Sequence, residues 1–333
     1  MDNKKVNNSS RVGIFDFLRI ILTILVVNLH IQIIAYTKPN LLEPFVYYTV
    51  PLFLVLSFYF MSKYFTKEKL NYQVILPRIK RILVPLLFWS VIGFLVHPEL
   101  ADFKNVLLQF ATGELVNVPL YYLNLLIIFT IIFWLLTYVN FRIRLLIYLG
   151  LILFAFFLEY SFINYHFFSP TILAVKNSYG RFVELIPYAV LGILFGLLAL
   201  KTKIKSAGLF ALILLFSLFY IITTNSPQPL GFHFSGIKIF SGTIIVFSLT
   251  MLLSNLQFDI KLHKLIEVLG KYSFGVYLFH FILLEFLLKL FPDLIVYITK
   301  YSLLFLIFYI FFCYGLCIFF NASTHRKFSF LIE

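Results

Sequence analysis

The sequence predicts an all-α, polytopic membrane protein of about ten transmembrane helices with both termini cytoplasmic. Three observations predict it. The 333 residues are 62% hydrophobic and 20% aromatic, with a mean hydropathy of +0.98, far from the soluble average. Apolar stretches long enough to cross a bilayer recur along the whole chain. Lysine and arginine alternate in density between successive connections, as the positive-inside rule requires.

The expected spans are about 13–36, 45–62, 82–97, 119–139, 145–163, 184–200, 206–223, 237–256, 272–291 and 295–320. The first is too long for a signal-peptide core and has no small-residue cleavage site after it, so it reads as a retained helix. One set of connections is rich in cations: Lys4, Lys5 and Arg11; Lys63 to Arg81; Arg142 and Arg144; Lys201 to Lys205; Lys261 to Lys271; Arg326 and Lys327. The alternate set is sparse, with Lys38, Lys104, Lys176, Arg181, Lys238, Lys289 and Lys300. The rich side is therefore cytoplasmic. No polar stretch is long enough for a soluble module, so residues 1–333 read as a single membrane domain.

The net charge of +13 is spread over helix junctions. That distribution suits anionic membrane lipids and excludes a nucleic-acid-binding module, which would gather its cations on one surface. There is no phosphate-binding or dinucleotide loop. No cysteine-histidine cluster has metal-ligand spacing, so no metal is expected. Cys313 and Cys317, at i, i+4 in the last span, read as small packing residues.

The most informative segment is the first span, GIFDFLRIILTILVVNLHIQIIAY. Ionisable groups in hydrocarbon are costly and default to a functional reading. Arg19 and His30 are eleven residues apart, about three turns, so they share a face and lie roughly 16 Å apart along the axis. Asp16 can pair with Arg19 at i, i+3. An imidazole is suited to take a proton from a hydroxyl. Packing of a snorkelling arginine is the alternative for Arg19.

In YQVILPRIKRILVP, Arg78 and Arg81 lie on one helical face beside Lys80, and Pro77 suits a first helical turn. Ordinary flanking charge is one reading. A phosphate clamp of guanidinium forks at a helix start is the other. The segment GKYSFGVYLFHFILLEFLLK holds Ser273, Tyr277, His280 and Glu285, and His280 either orients another helix or lines a cavity. Glu184 lies near the start of the sixth span, where it can be solvated, partner His30 or read a hydroxyl; Gly192 and Gly196 follow as a small-residue packing face. The connections 98–118 and 164–183 are the longest outer ones. The first is expected to hold an interfacial helix over 102–112, and Tyr122 and Asn124 can add to an outer aromatic mouth.

These motifs resemble the acyltransferase-3 family of integral membrane acyltransferases over almost the whole chain. The most specific part is the arginine, ten residues, histidine pattern in DFLRIILTILVVNLH. The arginine pair of RIKRILVP and the segment YSFGVYLFH are similar to further family motifs. Ser57-Phe58 replaces the family's serine-glycine pair, and tyrosine stands in YYLNLL where a tryptophan is usual. The resemblance implies a stand-alone enzyme in a bacterial cell membrane that uses acetyl-CoA or another acyl-CoA as co-substrate. A glycan or lipid-linked glycan would be the acceptor. It implies His30 as general base, with Asp16 also in the catalytic group as the residue that positions Arg19, and Arg19, Arg78 and Arg81, with Lys80 secondary, as ligands of the coenzyme phosphates. Glu184, Tyr122, Asn124 and His280 are the expected acceptor-binding residues. The competing reading is a polysaccharide or glycolipid exporter. The inverted repeat with paired broken helices that many secondary transporters show is missing from the sequence.

Overall fold

The computed structural model describes residues 9–35, 41–96, 120–165, 170–201, 206–222, 236–254 and 258–324. The described residues form helices without a strand. In chain order these are α1 (Ser9–Ala35), α2 (Glu43–Val46), α3 (Thr49–Phe65), α4 (Tyr72–Val96), α5 (Tyr121–Leu136) and α6 (Phe141–Tyr165). They are followed by α7 (Pro170–Lys201), α8 (Ser206–Ile222), α9 (Ile237–Leu253), α10 (Ile260–Leu290), α11 (Leu294–Lys300) and α12 (Ser302–Ser323). Among them, seven meet the length and apolarity needed to cross a membrane, and α5, α8 and α9 are shorter apolar helices. The chain is a multi-pass helical membrane protein. The expected interfacial helix over 102–112, and His97, His166 and His233, lie outside the described residues.

Several helices begin earlier than hydropathy alone places them, because polar caps set their starts. Asn71 Oδ1 accepts from the Gln73 amide at 2.9 Å, so α4 starts at Tyr72 and carries Arg78, Lys80 and Arg81 inside the helix. Pro77 is thus the sixth helical residue, not a first-turn proline. Asp259 caps α10 by accepting from the Lys261 amide at 3.2 Å, so the helix starts at Ile260, twelve residues before the expected span at 272. Pro170 opens α7, so the segment expected as an outer connection over 164–183 is helical from there. The expected last span, 295–320, is divided at Tyr301, whose backbone (φ −130°, ψ 44°) leaves the helical region between α11 and α12.

The chain forms two compact units. The first comprises residues 1–49, 80–124 and 254–333, and the second residues 50–79 and 125–253. In the first, α1 runs along α10, and α12 packs on both. The approach of α1 to α10 depends on Gly270, because a Cβ there would lie 2.6 Å from Asp16 Cβ. Val27, Ile31, Val276, Phe279 and Tyr309 belong to its buried core. An apolar recess of about 280 Å³ lies between α4, α10 and α12, with Trp89, Phe279 and Cys317 in its wall.

In the second unit, Gly192 and Gly196 of α7 face α3: a Cβ on the first would strike the Val55 carbonyl, and one on the second the Ser62 side chain. Phe58, Phe65, Phe129 and Phe133 pack ring to ring between α3 and α5. Arg144 is fully buried in the first turn of α6. Its guanidinium donates to the carbonyls of Phe65 (2.5 Å), Lys67 (3.3 Å), Thr137 (3.0 Å) and Val139 (2.8 Å). The sequence reading counted Arg144 as a flanking surface charge. It instead gathers the last turns of α3 and α5.

Candidate active site

Asp16, Thr23 and His30 of α1 lie along the side that α10 covers. At its N-terminal end, Asp16 Oδ1 accepts from Arg19 Nη1 at 2.6 Å. The carboxylate is buried while the arginine side chain keeps 37% of its exposure, so the pair anchors a guanidinium that still opens outward. One turn on, Thr23 Oγ1 donates to the Arg19 carbonyl at 2.9 Å and lies 3.5 Å from the Ser273 carbonyl of α10. Ser273 Oγ donates to the Leu269 carbonyl at 2.9 Å. A hydroxyl has one hydrogen, so Tyr314 is the donor in the 2.9 Å Ser273–Tyr314 bond.

Near the far end of α1, His30 meets His280 of α10. Nδ1 of His30 lies 2.9 Å from Nε2 of His280, and the ring centroids are 5.0 Å apart at 44°. The edge of Phe281 closes another side of His30 at 5.1 Å. Nδ1 of His280 is 2.9 Å from the Val276 carbonyl, and the Tyr309 hydroxyl donates to the backbone carbonyl of His280. Tyr277, one turn before His280, packs edge-on against Tyr122 at 5.6 Å.

The remaining expected residues are placed as follows. Tyr122 and Asn124 are buried at the start of α5. On α4, Lys80 and Arg81 are exposed and Arg78 is half-buried, with Arg78 Nη2 at 3.5 Å from the Ser57 carbonyl. Glu184 is buried on α7, in the second unit. The imidazole that sits on His30 is therefore His280, a partnership the sequence reading did not assign; the spacing within either helix gives no sign of it. Tyr309 and Gly270 were likewise missed, since each matters through a neighbouring helix.

Chemically, the first unit places on one helix an anchored cation and one imidazole of a buried pair, the second imidazole coming from α10. Among the described residues no group of three or more His, Cys, Asp or Glu side chains is gathered to hold a metal ion. In the comparison with protein families, a model described as an acyltransferase domain matches residues 12–322, a range that takes in α1 from its first turn and nearly all of α12. Comparisons with curated proteins and with solved structures found no match.

Proposed function

The chain belongs to the acyltransferase-3 family, and from that premise we propose that it is a membrane O-acyltransferase. It moves an acyl group, in the simplest case acetyl, from acyl-CoA to a hydroxyl of a surface glycan or its lipid-linked precursor in a bacterial plasma membrane. The observation that carries this reading is α1, with the Asp16–Arg19 pair at one end and His30 on the same face three turns later. The spacing is roughly 16 Å, about the reach of an extended pantetheine arm. With both termini cytoplasmic, Arg19 faces the compartment that holds acyl-CoA.

Arg19, Arg81 and Lys80, with Arg78 a turn earlier on α4, bind the 3′-phosphate and pyrophosphate, for which guanidinium forks are suited. Asp16 holds the Arg19 guanidinium in place. His30 takes the proton of the acceptor hydroxyl as its oxygen attacks the thioester carbonyl. The new C–O bond forms, the C–S bond breaks, and the proton passes from His30 to the sulfur, so coenzyme A leaves as the thiol and His30 is again neutral. Tyr122 and Asn124 serve the acceptor.

The test is binding and turnover of acetyl-CoA by the detergent-purified protein and by membranes carrying the native acceptor. Positioned general bases contribute about 10²–10⁴-fold, so His30→Ala is expected to lose at least about 100-fold in turnover while still binding acetyl-CoA. Arg81→Ala is expected to raise KM about tenfold, the loss of one charge-assisted contact. Near-wild-type turnover by His30→Ala would remove the base assignment.

A further inference from the structure

We propose that His280 is a positioning residue that fixes the tautomer of His30 and thereby selects Nε2 of His30 as the reactive nitrogen. The role in catalysis rests on the acyltransferase reading; the tautomer rests on geometry alone. The Val276 carbonyl has no hydrogen to give, so His280 Nδ1, 2.9 Å away, must carry one. A neutral imidazole has a single N–H, and a buried pair of imidazoles is costly to charge. Nε2 of His280 is then a bare lone pair. It lies 2.9 Å from Nδ1 of His30, which must supply the hydrogen. One orientation follows along the chain of groups: His30 Nδ1–H donates to His280 Nε2, and His280 Nδ1–H donates to Val276. The lone pair of His30 is left on Nε2.

The surroundings hold this arrangement in place. His280 is 0% exposed and His30 7%, so of the two rings only His30 reaches any surface and His280 stands behind it. Tyr309 ties the backbone carbonyl of His280 to α12, and the Phe281 ring packs across His30 at 79°. Gly270, about three turns before His280, lets α1 pack closely on α10 at Asp16. When Nε2 of His30 takes the acceptor proton, the ring becomes cationic and its Nδ1–H bond to His280 becomes charge-assisted and stronger. His280 therefore stabilises the state that forms during reaction while touching neither substrate. This is the work of a carboxylate behind a catalytic histidine, done here by a neutral imidazole whose own orientation is set by a helix carbonyl.

The experiment combines a spectrum with kinetics on the full-length protein. In ¹⁵N-histidine NMR of the detergent-solubilised wild type, with His30 assigned by the resonances missing in His30→Gln, Nδ1 of His30 is expected to read as protonated and Nε2 as bare. In membranes bearing the native acceptor, His280→Ala is expected to lower kcat for coenzyme A release from acetyl-CoA by about 100-fold, at the lower end of general-base effects, with KM unchanged. His280→Gln, whose amide oxygen can accept from Nδ1–H, is expected to recover to within about tenfold of wild type and to keep the bare Nε2 signal. A protonated Nε2 on His30 in the wild type, or wild-type kcat in His280→Ala, would overturn the proposal. The spectrum decides the tautomer whether or not acetyl-CoA is turned over, so failure of the enzyme reading and failure of this one are told apart.

Discussion

At the scale of single residues, the costly polar groups of this protein divide into those that keep part of their surface open and those that close the fold. Arg19 and Arg144 show the division. Arg19 keeps a third of its surface and pairs with one carboxylate. Arg144 is 0% exposed and pairs with carbonyls from four residues. Removing Arg144 takes the donor from the Phe65, Lys67 and Val139 carbonyls, while the Thr137 carbonyl still accepts from the Lys69 amide, and each unsatisfied group costs about 1–3 kcal/mol. Arg144→Ala is therefore expected to lose at least about 3 kcal/mol of stability, read as a fall in the melting temperature of the detergent-solubilised protein. Arg144→Lys retains charge but not the fork and should fall between. An unchanged melting temperature in Arg144→Ala would show that the carbonyls find other donors. None of this was legible in the sequence, where Arg142 and Arg144 look alike as flanking cations. Arg142 is exposed, and only the return of α3 and α5 to the same corner separates the two.

At the scale of elements, helix glycines report where two backbones meet. A glycine inside a helix costs roughly 1 kcal/mol relative to alanine, so one retained in a span needs a packing reason or none at all. Gly196 has one, since its missing Cβ makes room for the Ser62 side chain of α3, whereas Gly150 has nothing within 4 Å. Gly150→Ala is expected to raise the melting temperature by recovering helix propensity. Gly196→Ala is expected to lower it by the strain of overpacking, about 1–3 kcal/mol. Equal effects of the two substitutions would contradict the close packing of α7 on α3. The i, i+4 pattern of Gly192 and Gly196 made this contact readable from sequence. The pairing of α1 with α10 was not, because it rests on one glycine, Gly270, and on two histidines 250 positions apart. Among the described residues, seven helices and not ten meet the length and apolarity of a span, and the short α2 and α11 were not foreseen, but the long apolar helices followed from hydropathy. Helix starts did not, because Asn71, Asp259 and Pro170 begin helices in segments that hydropathy discards as loops.

At the scale of the whole molecule, the proposed donor is long, anionic at one end and reactive at the other. A thioester on coenzyme A has that shape, and its 3′-phosphate offers a way to locate the anionic end without a bound complex. If guanidinium groups of α1 and α4 hold that phosphate, acetyl-dephospho-CoA should bind the wild type more weakly by about tenfold or more, one charge-assisted contact being worth about 1.4 kcal/mol or better. In the variant that has lost the responsible arginine, the two donors should be used alike, because the contact removed from the protein is the one already missing from the ligand. The comparison of Arg19→Gln, Arg78→Gln and Arg81→Gln against both donors is a set of double-mutant cycles. It assigns each guanidinium to the 3′-phosphate or to the pyrophosphate by whether the discrimination collapses or persists. His30→Gln should preserve the discrimination while losing turnover, since it stands three turns from Arg19 at the thioester end. Full discrimination in all three arginine variants would place the 3′-phosphate elsewhere, and loss of discrimination in His30→Gln would mean that the donor does not lie along α1 in the proposed direction.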